Sequence, residues 1–294
     1  MSKPAYTIPV DGKVMACLDA SIYSDSVVDH ASWASRRLQA GLVCLHVLER
    51  QPSRPVRADY SGNIGIDTGA ELLEELTELD AQRARIAVRQ GRVLLEQARL
   101  RAVDAGALNP DSLQRHGPLA EALTELETDV RLFVIGKRGE AADFNRGHLG
   151  ANLERVVRSV HRPLLVTSRK FRPVGRFAIA FDDSATTRKC IEMVCMSPLL
   201  KGLECHLITA GSETAAIREG LDWARDQLEK AGFEPSIVIE AGHAESVITD
   251  HIGQREVDLL VMGAYGHSRI RQLIVGSTTT AVLRNCTIPV LLLR

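Results

Sequence analysis

The chain has 294 residues, 45% of them apolar and 25% charged, with a formal net charge of −1. That is room for one large domain or two ordinary ones with real cores. The near-neutral balance and only 4% aromatic residues argue against a general nucleic-acid or anionic-membrane binder, which needs a basic field and stacking platforms.

Residues 1–12 read as a tail. Lys13 to Leu18 is a strand buried on both faces, ending on Asp19-Ala20-Ser21. An amphipathic helix follows from Ser24 to Gln39, stopped by Gly41, and Leu42 to Leu48 is a second strand. Residues 49–69, with three arginines, two prolines and three glycines, read as an inserted loop. It is either a functional lid or a tolerated surface insertion. Ala70 to Ala105 is helical, with Gly91 expected to break or kink it. Ser112 to Arg115 is a short third strand, and Leu119 to Glu127 a helix after the turn His116-Gly117-Pro118. Leu132 to Ile135 is a fourth strand ending on Gly136; Gly139 and Gly150 follow, and Leu164 to Thr167 is a fifth.

Ser168 to Pro173 reads as a linker, after which the plan repeats. Arg176 to Phe181 is a strand ending on Asp182-Asp183-Ser184, with a helix from Thr186 to Leu199 and a strand from Leu203 to Thr209. A helix from Glu213 to Ala231, a strand from Ser236 to Glu240 and a helix from Ala244 to Ile252 come next. The apolar run Leu259 to Met262 ends on Gly263; Gly266 follows, then Gly276 after nine more residues, and Ser277 and Thr278 open the next helix. Glycines admit close backbone approach, a helix N-terminus attracts anions, and hydroxyls donate to phosphate oxygens. The loop holds His267, Arg269 and Arg271 and no acid, so it reads as a phosphate cradle. A tight turn that only packs helix on sheet is the plainer reading of the same glycines.

The glycines of the two halves lie 127 and 126 residues apart, and both halves end in X-Pro and an apolar strand, Leu164 to Thr167 and Val290 to Leu293. The chain is therefore read as a tandem repeat, with a first domain at 1–168 and a second at 174–294. Alternating strands and helices imply parallel sheets with ligands beyond the strand C-termini. Asp182, the strand end near Ile208, and Gly263 can all reach that crevice. Asp182 and Asp183 are candidates to hold Mg²⁺ with phosphate, or else Asp183 or Ser184 caps a helix. His46 and His206, inside strands, read as core residues, whereas His267 is a candidate ligand contact. No Walker A motif, dinucleotide fingerprint, HExxH or zinc spacing is present. The six cysteines form no CxxC pair, the pattern of buried small hydrophobes in a reducing compartment. With no signal-like start and no apolar span, the protein is expected to be soluble and cytoplasmic.

These residues resemble the universal stress protein family in its tandem form. The motif is the family's GxxG, nine residues, then G and Ser/Thr, here Gly263, Gly266, Gly276 and Ser277. The resemblance implies two α/β domains, each a doubly wound five-stranded parallel sheet of order 3-2-1-4-5, binding ATP or AMP. It implies that the two fifth strands pair as an internal pseudo-dimer, with a homo-oligomer also open. By position, Asp182 would lie near the ribose or adenine and Ile208 would offer backbone groups to the adenine. Gly263, Gly266 and His267 would line ribose and phosphates, and Gly276, Ser277 and Thr278 would hold the phosphates. The matching positions of the first copy are Asp19, Val47, Gly136, Gly139, Gly150 and Ala151. That loop is one residue longer, lacks the hydroxyl at Ala151, and carries Glu140 and Asp143, so weak or no binding is expected there. The function expected is a nucleotide-binding stress or signalling module. A scaffold with a vestigial site, or a slow ATP hydrolase, is the alternative; no nucleophile–base pair is visible.

Overall fold

A computed structural model describes residues 11–49, 66–137, 150–264 and 277–294. The first half runs β1 (Lys13–Leu18), α1 (Ser24–Leu38), β2 (Gly41–Leu48), α2 (Ile66–Asp104), β3 (Leu108–His116), α3 (Leu119–Leu126), β4 (Val130–Gly136), α4 (Ala151–Ser159) and β5 (Leu164–Thr167). The second runs β6 (Arg176–Ala180), α5 (Ala185–Met196), β7 (Glu204–Ala210), α6 (Ala215–Lys230), β8 (Pro235–Glu240), α7 (Ala244–Gln254), β9 (Leu259–Gly263), α8 (Ser277–Asn285) and β10 (Val290–Leu293).

All ten strands form one sheet, in the order β3-β2-β1-β4-β5-β10-β9-β6-β7-β8. Each half has the order expected, 3-2-1-4-5, and every pairing is parallel except β5 with β10. At that seam Leu165 sits opposite Leu291, with Leu164 opposite Leu292 and Val166 opposite Val290. Leu165 and Leu291 occupy the same place in their copies, two residues after the X-Pro proline. The seam is therefore a pseudo-twofold centred on equivalent leucines. All four residues of each strand are buried, so two apolar edges that would invite aggregation are covered.

Helices cover both faces, as parallel strands apolar on both sides require. One face packs α1, α2, α5 and α6 through residues such as Val27, Leu95, Ile191 and Leu221. The other packs α3, α4, α7 and α8 through Leu123, Val156, Val247 and Val282. Side chains tie the halves across the seam. Lys137 Nζ donates to the last carbonyls of α8, Arg284 O at 2.9 Å and Cys286 O at 2.7 Å. Arg294 donates to Arg158 O and Val160 O at the end of α4. Each places a cation where a helix C-terminus carries unpaired carbonyls and partial negative charge.

The structure departs from the sequence reading in several places. The helix expected from Ala70 starts at Ile66, so the insertion is shorter at its C-terminal end; residues 50–65 lie outside the described residues. Gly91 does not break α2. A Cβ there would lie 2.1 Å from Gln114 Nε2 and 2.6 Å from His46 Cδ2, so the glycine lets a continuous helix press onto β2 and β3. The third strand is longer than Ser112 to Arg115 because it follows β2 along its whole length. The helix expected to reach Leu199 stops at Met196, ahead of Pro198, whose ring cannot continue it. No helix among the described residues is long and apolar enough to cross a membrane.

Candidate functional site

β6 and β9 lie side by side, and the helices that follow them leave to opposite faces, α5 to one and α8 to the other. The C-terminal ends of β6 and β9 are therefore the switch point of a doubly wound sheet, where such folds place their ligand crevice. Asp182 stands at the end of β6, exposed, with its Oδ1 accepting from Ser184 N–H at 3.1 Å and from the Thr187 hydroxyl at 2.8 Å. Ser184 caps α5, its Oγ accepting from Thr187 N–H at 3.2 Å. The choice left open between capping and metal binding thus divides by residue. Ser184 is the cap. Asp183, with φ 60°, accepts from Arg188 Nε at 2.7 Å and lies against α6, where a Cβ on Gly220 would sit 2.6 Å from its Cγ. Arg188 in turn lies 4.5 Å above the Trp223 ring. Asp182 is the carboxylate at the crevice.

Gly263 closes β9. A Cβ there would stand 2.8 Å from Thr186 Cγ2 of α5, so this glycine has a packing reason of its own. Its carbonyl accepts from the Thr279 hydroxyl at 3.3 Å, and Thr279 is buried. That bond fixes the first turn of α8 at the mouth of the crevice. Sequence reading missed it: Thr278, Thr279 and Thr280 look alike until the helical phase is known, which turns Thr279 inward and leaves Thr278 exposed. Ser277 is the first residue of α8. Gly266, His267 and Gly276 lie outside the described residues.

Ile208 sits differently from expectation. It is 1% exposed within β7, and its carbonyl accepts from Phe181 N–H at 2.9 Å. Strand register also corrects its proposed match to Val47. Val14 pairs with Leu42 and Phe177 with Cys205, so the counterpart of Val47 is Ala210, the last residue of β7. Side chains agree: His46 Nδ1 bonds Leu18 O and Thr209 Oγ1 donates to Phe181 O, both at 2.9 Å. The sequence offered no shared landmark to set this register, because the histidines inside the two strands, His46 and His206, fall at different places.

The first copy repeats the acidic turn, with Ser21 N–H donating to Asp19 Oδ1 at 3.0 Å. It adds a carboxylate that the second copy lacks. Glu49 Oε1 accepts from Leu119 N–H at the start of α3 and from Asn152 Nδ2 at the start of α4. By the same register, its counterpart in the second copy is Ser212. Gly150 N-caps α4 without a side-chain bond. Thus in the first copy a carboxylate bridges the start of α3 and the start of α4.

No cysteine is set up as a nucleophile. Burial pushes the Cys190, Cys44 and Cys205 thiols up to about 12, and raises Cys17, Cys195 and Cys286 as well. Among the described residues no group of three His, Cys, Asp or Glu is placed to hold a metal by itself.

Comparison with known proteins accounts for both halves. The sequence model of the universal stress protein family matches residues 12–168 and again 178–294. The chain belongs to the universal stress protein family. A universal stress protein of Synechocystis sp. is 36% identical over 96% of this chain and 99% of its own length. One from Mycobacterium tuberculosis is 23% identical over 96% of this chain and 94% of its own. The fold is that of a universal stress protein from Archaeoglobus fulgidus, with a TM-score of 0.70 at 18% identity, covering 96% of this chain and 98% of that one. A putative family member from Pseudomonas aeruginosa gives 0.63 at 15% identity, covering 96% and 92%. Two family matches and one ten-stranded sheet make this a tandem member whose two halves are internally paired.

Proposed function

We propose that this stress protein binds ATP or AMP in its second domain and acts as a sensor or signalling module, with at most slow hydrolysis. The observation that carries the reading is the Thr279–Gly263 bond, which ties the first turn of α8 to the end of β9, the strand paired with β6 that leads into Asp182. A helix N-terminus on one side and a carboxylate on the other suit a phosphate and a ribose respectively. The segment that joins β9 to α8 supplies Gly266, His267, Arg269, Arg271 and Gly276. In this reading Asp182 accepts from a ribose hydroxyl and the end of β7 flanks the adenine. Gly276, Ser277 and Thr278 hold the phosphates. Any Mg²⁺ is shared between the phosphates and Asp182, since Asp183 is paired with Arg188. The first domain is not a second site, because Glu49 faces the start of α4.

Hydrolysis needs a group that orients an in-line water. Asp182 is turned onto Ser184 and Thr187, which supports binding without efficient turnover. The test is to denature the purified chain, identify any released nucleotide by mass spectrometry, and titrate the emptied protein by calorimetry. One adenine nucleotide per chain supports the reading. Two equal sites, or none, defeats it.

A further inference from the structure

Of the eight large hydrophobic side chains exposed among the described residues, six lie on α2: Leu76, Leu79, Ile86, Val93, Leu100 and Val103. Its counterpart α6 has 16 residues and α2 has 39, so α2 runs well beyond what covering the sheet requires. The side of α2 that meets the domain carries Gly91, Leu95, Ala98 and Ala102, all buried. Leu79, Ile86, Val93 and Leu100 recur every seven residues and form a stripe on the opposite side, drifting about 20° per heptad as a left-handed helix pair demands. Ile86, Arg89, Gln90 and Val93, at i, i+3, i+4 and i+7, line a surface depression of the kind that receives a knob from a facing helix.

We propose that this face is a self-association surface, on which α2 of a second copy packs antiparallel about a twofold between residues 89 and 90. In that register Leu79 meets Leu100 of the other copy, Ile86 meets Val93, and Leu76 meets Val103. All six exposed aliphatics find partners.

Charge selects the same direction. The first part of the helix carries Glu74, Glu75, Glu78 and Asp80; the later part carries Arg83, Arg85, Arg89, Arg92, Arg99 and Arg101 with the acids Glu96 and, at its very end, Asp104. A parallel pair sets like charge on like. The antiparallel pair brings Glu78 to Arg99 of the second copy and Arg85 to its Glu96. The like-charge contacts that remain lie near the axis, Arg89 with itself and Arg85 with Arg92 of the second copy. A lipid surface fits less well, because the stripe is narrow, flanked by Gln82, Gln90 and Gln97, and acidic at one end.

Sedimentation velocity on the full chain at micromolar concentrations tests this. The wild-type chain sediments as a dimer. Ile86→Glu with Val93→Glu, both exposed and remote from the core, weakens association at least tenfold while leaving the circular dichroism spectrum of the chain unchanged. Arg89→Gln tightens association. Leu79→Cys mixed with Leu100→Cys gives a disulfide-linked heterodimer, and neither variant alone cross-links beyond the parent chain. A monomer at every concentration overturns the proposal, as does a dimer indifferent to the two glutamates. Cross-linking of Leu79→Cys with itself overturns the antiparallel register, and a monomer that instead floats with anionic vesicles hands the face to lipid.

Discussion

At the scale of single residues, two positions show how this fold uses side chains that sequence alone leaves unremarked. His206 is buried in β7 between two partners: its Nε2 meets Glu204 Oε1 at 3.0 Å and its Nδ1 meets His251 Nε2 at 2.9 Å. The carboxylate can only accept, so Nε2 carries the hydrogen and, in the neutral pair, His251 donates to Nδ1. Burial, then the His206 charge and Arg255, hold His251 below its ordinary range. The folded chain therefore takes up a proton at His251 less readily than the unfolded chain. Stability is full above the ordinary histidine value of about 6.5 and is lost as pH falls below it. His251→Gln keeps a donor without a titrating ring, so denaturation midpoints measured between pH 7.5 and 5.5 should vary less with pH than in the parent. The second position is Gly91. Gly91→Ala drives a methyl into Gln114 and His46 and should cost about 1–3 kcal/mol in chemical denaturation, the usual range for overpacking. Gln114→Ala in the same chain should recover part of it, because the nearest atom is the movable end of that side chain.

At the scale of elements, strand and helix positions were legible because the pattern is coarse: apolar runs of strand length, glycine stops and an X-Pro before each last strand; the strand order followed from the family resemblance. What failed was phase and reach. Gly91 read as a breaker because a lone glycine gives no sign of a neighbour pressing against it. Ile208 was placed two residues away from the end of its strand because nothing in Cys205 to Thr209 marks register. For the candidate site, Asp182 and Gly263 could be named from the sequence, whereas Thr279 and Glu49 emerge only when helix phase and a contact over 103 residues bring them in. The glycine loop makes a sharp forecast. Gly276→Val should abolish nucleotide binding by placing a branched side chain where backbone must approach phosphate. Ser277→Ala should weaken it by about 1–2 kcal/mol, the scale of one hydrogen bond to a charged group. Gly150→Val, the same change in the first domain, should leave the calorimetric titration as it was.

At the scale of the whole molecule, the seam decides behaviour. β5 and β10 are short, buried and apolar but for Thr167; β4 and β9 flank their outer edges, and each covers the other's inner edge. Residues 171–294 expressed alone keep β10 but lose its cover, so light scattering should report a dimer or larger species; a well-behaved monomer would count against the seam as a necessity. The same pairing sets a schedule for synthesis. Leu165 leaves the ribosome 126 residues ahead of its partner Leu291. At about 5–20 residues per second, the first half waits roughly 6–25 s with an open, greasy strand at its border. The nascent chain thus passes through a stage, repeated in every molecule made, in which half a protein is complete in order but not in surface. A holdase that shields extended apolar segments has its longest opportunity on this chain in that interval.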